Sequence, residues 1–301
     1  MPDFILFAQH GWADTNKKIS QLAHSLATPE TLVIAPDLGW VNTWLRIEPL
    51  IAKVEKIAAD AIAAHPHIPI RIIGHSMGGL IWLEILDRHR EWWTRVHSLV
   101  LVGSPVGGSD LGRTFDPLGW GIGIARDLGK NRRNMATAIA ASIPTLSIAG
   151  DSDSGSDGTV PIFATQFDRA NSICIPNLKH ADMKNHPAIA AAIHNFWERP
   201  AIAPVARYLD LTTQIVRTLQ AIPGITDTHP RGFAAAKIFM TYPDGSTIRI
   251  GKNYLQVDRV YVGDPEGNCS YSGYVGWIDS ACLWDTFDKL NQFRSTRELE
   301  D

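Results

Sequence analysis

The chain has little cysteine. Cys174, Cys269 and Cys282 form an odd set with no CxxC pair, which excludes a disulfide framework or a cysteine-held zinc as the organiser of the fold. That usage suits a reducing compartment, and cytoplasmic residence is the expectation. Long apolar runs are missing as well: none approaches the roughly 20 residues that span a bilayer, so no transmembrane segment is expected. The opening stretch, Met1 to Phe7, has neither a basic leader nor a cleavage site and reads as a first strand, not an export signal. Positive charge is not in excess. A formal net charge of -3 offers no general field for a phosphate backbone, so nucleic acid is not an expected partner. Repeats and low-complexity tracts are absent too, and 45% hydrophobic with 20% charged residues is ordinary for a globular protein. At 301 residues the chain is long enough for two units or one large one.

Tryptophan, by contrast, is plentiful, with ten residues. The adjacent pair Trp92 and Trp93 is either an apolar docking surface, compatible with peripheral membrane contact, or part of the core.

Strand-length apolar runs recur at Phe4 to Ala8, Leu32 to Ala35, Ile70 to Ile73, Leu99 to Val102, Thr145 to Ala149 and Ser172 to Ile175. Most are separated by stretches of helical period. Between Ile47 and His65, residues Ile47, Leu50, Ile51, Val54, Ile57, Ala61 and Ile62 trace one helical stripe. Continuous apolar strands alternating with such helices predict an α/β fold, a mostly parallel sheet covered on both faces. The segment Pro105 to Pro144 is long for a connection; it carries one helix-like stretch, Arg132 to Ala141, and is either a lid or a surface excursion. Two prolines, Pro200 and Pro204, mark a boundary. The expected division is therefore 1–199 and 200–301, the second unit being a small α+β domain: a helix over Val205 to Ala221, a hairpin turning at Pro243 to Ser246, two more strands about the turn Asp264 to Asn268, and a last helix over Ala281 to Phe293.

Chemistry enters at Gly74-His75-Ser76-Met77-Gly78-Gly79, set between an apolar strand-like run and a helix-like run, Leu80 to Arg90. GxSxG in that setting is the signature of a nucleophile elbow, in which a serine stands on a sharp turn and the following helix offers N–H groups to a developing anion. Ser76 is the candidate nucleophile. A serine hydroxyl needs a general base and a third group to orient that base. The loop Gly150 to Pro161, after a predicted strand, supplies three aspartates; Asp157 is favoured because Gly158 relaxes the turn behind it, with Asp151 and Asp153 as rivals. The same loop is not a calcium-binding EF-hand, since Gly155, Ser156 and Ile162 stand where that motif needs an oxygen ligand, a glycine and a glutamate. His180, on the loop after the last strand, is the candidate base. His186 precedes Pro187 and is expected to start a helix, and His194 lies inside that helix. For the oxyanion, Met77 N–H is one expected donor. The other is Trp12 N–H, on the turn His10-Gly11 after the first strand.

An HG loop, GHSMGG, DGTVP and a late loop histidine, in this order, resemble the α/β-hydrolase fold superfamily over roughly residues 1 to 200. Within it the short core and the GSDGTVP loop look most like lipases and esterases of the GPI-inositol deacylase and serine-esterase groups. The resemblance implies a cofactor-independent acyl transfer on a small-molecule or lipid ester, through an acyl-enzyme on Ser76 with His180 as base and Asp157 as its orienter. Nothing beyond residue 200 resembles a hydrolase element. A scaffold that binds without catalysis and a thioesterase or acyltransferase using the same triad are the alternatives.

Overall fold

The computed structural model describes residues 1–108, 123–205, 210–222, 224–252, 258–276 and 280–296. Its first sheet has six parallel strands: β1 (Ile5–Gln9), β2 (Leu32–Ile34), β3 (Ile70–His75), β4 (Val96–Val102), β5 (Thr145–Asp151) and β6 (Asn171–Pro176), in the order β2-β1-β3-β4-β5-β6. Side chains alternate across a strand, and here both faces are apolar. Ile5, Phe7, Ile72, Leu99 and Leu101 point to one core; Leu6, Ala8, Ile73, Val100 and Val102 point to the other. The helices α2 (Ile47–Ala64) and α3 (Met77–Arg88) cover the first face. On the second face lie α1 (Lys17–Leu26) and α6 (Pro187–Glu198). Trp82 of α3 is buried against Phe7, ring centroids 4.9 Å apart. The α/β class and the six expected strands are thus present.

Two short helices, α4 (Ile124–Leu128) and α5 (Arg133–Ala140), follow β4. The buried Asp127 caps α2 from across the chain, its Oδ2 accepting from Ile47 N–H (3.0 Å) and Arg46 Nε (2.9 Å). Of the expected lid segment, residues 109–122, Trp120 among them, lie outside the described residues. Trp92 and Trp93 pack on the first core, Trp93 donating to the Leu86 carbonyl at 2.7 Å.

A second, antiparallel sheet of five strands stands at the C-terminal side: β7 (Ile225–Asp227), β8 (Lys237–Thr241), β9 (Thr247–Lys252), β10 (Asp258–Gly263) and β11 (Cys269–Val275), ordered β7-β11-β10-β9-β8. The expected hairpin is β8–β9, closed by Tyr242 N–H to Ser246 O at 2.9 Å. Its apolar face meets α7 (Leu211–Gln220) and α8 (Ser280–Thr296) through Ile215, Leu219, Leu283 and Phe287. Strand β7 has no counterpart in the sequence expectations. It ends on Asp227, which is fully buried, paired with Arg133 of α5 and hydrogen-bonded by Tyr271 Oη at 2.8 Å. Among the described residues no helix is long and apolar enough to cross a membrane.

Candidate active site

Every predicted site residue sits at the carboxyl ends of the parallel strands, where open α/β sheets place their ligands. Helix α3 starts at Met77, so Ser76 occupies the turn itself with φ 54° and ψ −125°, a conformation a non-glycine residue holds only when its surroundings enforce it. They do so by close approach. A Cβ on Gly78 would strike the carbonyl oxygens of Gln9 and His10, and one on Gly74 the backbone of Gly79. The elbow is therefore wedged against the end of β1. Gly11 sits on it directly, since a Cβ there would lie 2.8 Å from Ser76 Cβ and 3.3 Å from Met77 N. The turn carrying Trp12 is thereby brought against both Ser76 and Met77 N.

The candidate acid and the candidate base are joined twice. His180 Nδ1 lies 2.6 Å from Asp157 Oδ2, and His180 N–H donates to the Asp157 carbonyl at 2.9 Å. Asp157 Oδ1 accepts from Thr159 N–H (2.9 Å) and Val160 N–H (2.7 Å). With the side chain only 2% exposed, these donors satisfy a charge that would otherwise be costly to bury. The rival aspartates face elsewhere: Asp151 accepts from Gly155 N–H within its own loop (3.0 Å), and Asp153 from Ser156 Oγ (2.7 Å). His186 caps α6, accepting from Ala188 N–H at 3.2 Å, and His194 stands exposed near Glu198. Both keep the helical parts expected of them.

Ser76 is 7% exposed, and among the described residues its hydroxyl has no hydrogen-bond partner. Catalytic contacts often tighten only with substrate present. His180 reaches the elbow through His75, the residue before Ser76: the two rings are 4.7 Å apart, and His75 Nε2 lies 3.2 Å from the His180 carbonyl. Among the described residues His75 Nδ1 has no partner, so the proton belongs on Nε2, which donates to that carbonyl. Burial holds the His75 imidazole well below its ordinary value, helped by repulsion from His180, and keeps it neutral.

His10 is a second neutral support. Its Nε2 accepts from Leu38 N–H at 2.9 Å, so Nδ1 carries the proton and donates to the Gly11 carbonyl at 3.0 Å; burial lowers its pKa. Lys184 and Asp14 pair at 3.0 Å and tie the loop of His180 to the loop of Trp12. Neither His75 nor His10 was singled out as a support from the sequence, where each reads only as part of a glycine motif, GHSMGG and the HG loop.

Trp12 packs edge-on to Trp44 with centroids 4.4 Å apart, and Trp44 meets Trp40 at 5.4 Å. Trp40, Val41 and Leu45 are more than half exposed. An apolar wall thus rises beside the turn that carries Trp12.

The family model described as serine aminopeptidase, S33, matches residues 1–154, just over half of the chain. No curated protein matches in sequence. Among solved structures, the Bacillus licheniformis lipase BlEst2 in mature form is 14% identical with a TM-score of 0.51, over 65% of this chain and 94% of that one. The same lipase in its propeptide form gives 0.53 at 14% identity, over 68% and 52%. At that identity the likeness concerns the fold.

Proposed function

Because the chain belongs to the serine aminopeptidase S33 family of α/β-hydrolases, we propose that it is a serine hydrolase that cleaves a carboxylic ester through an acyl-enzyme on Ser76. One observation carries the reading: a buried carboxylate, pinned by two backbone N–H groups, presents its free oxygen to the imidazole of His180 on the rim where Ser76 is held in a strained turn. Such a carboxylate orients the imidazole and stabilises the imidazolium that forms when the far nitrogen takes a proton.

In this reading residues 1–199 are the catalytic unit. With Asp157 on Nδ1, Nε2 of His180 is the nitrogen left to serve as base for the serine. Ser76 Oγ attacks the ester carbonyl as its proton passes to Nε2. The carbonyl oxygen becomes an anion, received by Met77 N–H and Trp12 N–H, each worth about 3 kcal/mol in comparable sites. The C–O bond to the alcohol breaks, and the proton on Nε2 leaves with it. Water, deprotonated by the same nitrogen, then attacks the acyl-enzyme and frees the acid and Ser76. The wall of Trp12, Trp44 and Trp40 supports an apolar acyl group. No step draws on a cofactor.

A fluorophosphonate probe tests the proposal. Labelling of the wild type that is lost in Ser76→Ala, together with turnover of p-nitrophenyl esters, is expected. No labelling would favour a silent scaffold. Labelling with turnover of aminoacyl p-nitroanilides but not esters would move the substrate class to peptides.

A further inference from the structure

The C-terminal sheet touches the catalytic unit at one place that matters for proton transfer, the loop carrying Asp157. We propose that His229 and Arg231 act as positioning residues for the catalytic acid, working through Asp153; this rests on the assignment of Asp157 made above.

The connection runs through hydrogen bonds and adjacent residues in turn. Asp227 roots β7 in the catalytic unit through Arg133, whose Nη2 and Nε also donate to the carbonyls of Phe163 (2.9 Å) and Gln166 (3.0 Å). Next, Thr228 N–H donates to Ser272 O at 3.0 Å, so the chain leaves β7 still attached to β11. His229 Nδ1 accepts from Arg231 N–H at 3.0 Å. Its proton therefore sits on Nε2, which faces Asp153 Oδ2 at 3.2 Å. Arg231 Nη2 reaches the same oxygen at 2.9 Å.

The other oxygen of Asp153 accepts from Ser156 Oγ at 2.7 Å, and Ser156 Oγ in turn accepts from Gly158 N–H at 3.0 Å. Ser156 and Gly158 are the two neighbours of Asp157, so Asp153 holds the hydroxyl that ties the residue before the acid to the backbone N–H of the residue after it. Pro230 closes the contact, with a Cβ on Gly155 falling 2.8 Å from its Cγ.

Two positive or donating groups on one carboxylate at a loop tip are a poor way to stabilise a fold. Arg231 is 74% exposed, and such pairs contribute little. They are a good way to hold a loop in one of several arrangements, and an acid that must keep its hydrogen bond to a base needs that. The C-terminal unit supplies to the acid loop what that loop's own short turns, rich in serine and glycine, do not.

The test is the double variant His229→Ala with Arg231→Ala in the full chain, read two ways. The first is kcat and KM on p-nitrophenyl butyrate. The second is the downfield proton resonance of His180 Nδ1–H, assigned by its loss in His180→Gln, which reports the bond to Asp157 without any substrate. We expect kcat to fall about 10-fold with KM unchanged, as for a misplaced group in a reacting line, the resonance to shift or broaden, and the thermal midpoint to stay put. The conservative pair His229→Gln with Arg231→Lys should restore both. An unchanged kcat, a fall in kcat with an unmoved resonance, or a parallel loss of activity and midpoint with no rescue would overturn the inference. Should the wild type turn over no ester, the resonance decides alone: a shift upholds the positioning link while the ester reading fails, and an unmoved line ends the link.

Discussion

Asp157→Asn changes one oxygen to an NH2 group and leaves the shape intact, yet the surroundings dictate which oxygen it replaces. Oδ1 receives two N–H groups, from Thr159 and Val160 at 2.9 and 2.7 Å. An amide nitrogen cannot accept, so the asparagine oxygen must stay there and its NH2 must fall 2.6 Å from His180 Nδ1, where Oδ2 was. Both groups cannot donate. His180 is driven to the tautomer with its proton on Nε2, and in the proposed mechanism that nitrogen can then accept nothing from Ser76. At 2% exposure no bulk water relieves the conflict. The expected loss in kcat is about 10⁴-fold, the size seen when an orienting carboxylate of this kind is neutralised, or about 5.4 kcal/mol at 1.36 per decade. The assay is ester turnover from about pH 6 to 9, with the thermal midpoint as control and Asp151→Asn as the comparison. A variant keeping more than about a tenth of wild-type kcat, or an equal loss in Asp151→Asn, would refute the tautomer argument.

Asp227→Asn leaves the Arg133 guanidinium buried without its counter-charge and is expected to cost about 3–5 kcal/mol in urea unfolding. Replacing both, Arg133→Met with Asp227→Leu, should recover more than half of that, because no charge is then stranded. His75 makes the fold sensitive to acid. Its folded pKa is depressed below the ordinary 6.5, so the unfolded chain takes up the proton first; the contribution is complete above about pH 6.5 and declines as pH falls, by up to about 1.4 kcal/mol per unit. Urea midpoints between about pH 7.5 and 5 should fall along that slope in the wild type and more shallowly in His75→Gln, and equal slopes would clear His75 of the effect.

What could be read from the chain, and what could not, divides along the range of the interactions. The central strands β1, β3, β4 and β5 were legible because they are buried on both faces and so are apolar almost throughout, and the edge strands β2 and β6, partly buried and largely exposed, still carried short apolar runs. The elbow was legible because close approach forces glycine at Gly74 and Gly78, two and two residues from Ser76. His186 was legible because its proline is adjacent. Strand β7 was not. Of its three residues only Ile225 is apolar, and its meaning lies in a carboxylate whose partner Arg133 is 94 positions away. Helix α1 was also unassigned, with only Ile19, Leu22 and Ala23 buried.

The acid is the instructive case, since one loop offered three aspartates of the same chemistry. Local sequence favoured Asp157 on its glycine, which is a statement about the turn and not about proton transfer. In the fold the three differ by what already occupies their oxygens. Asp151 is taken by its own loop, and Asp153 is taken on one side by Ser156 and on the other by residues 76 and 78 positions distant, His229 and Arg231. Asp157 alone among them has both backbone donors on one oxygen and the other turned to an imidazole. A catalytic carboxylate is thus defined by the acceptor capacity its neighbours leave unused. In the positioning proposed above, part of that definition comes from His229 and Arg231, on the connection between β7 and β8 and beyond the first two hundred residues.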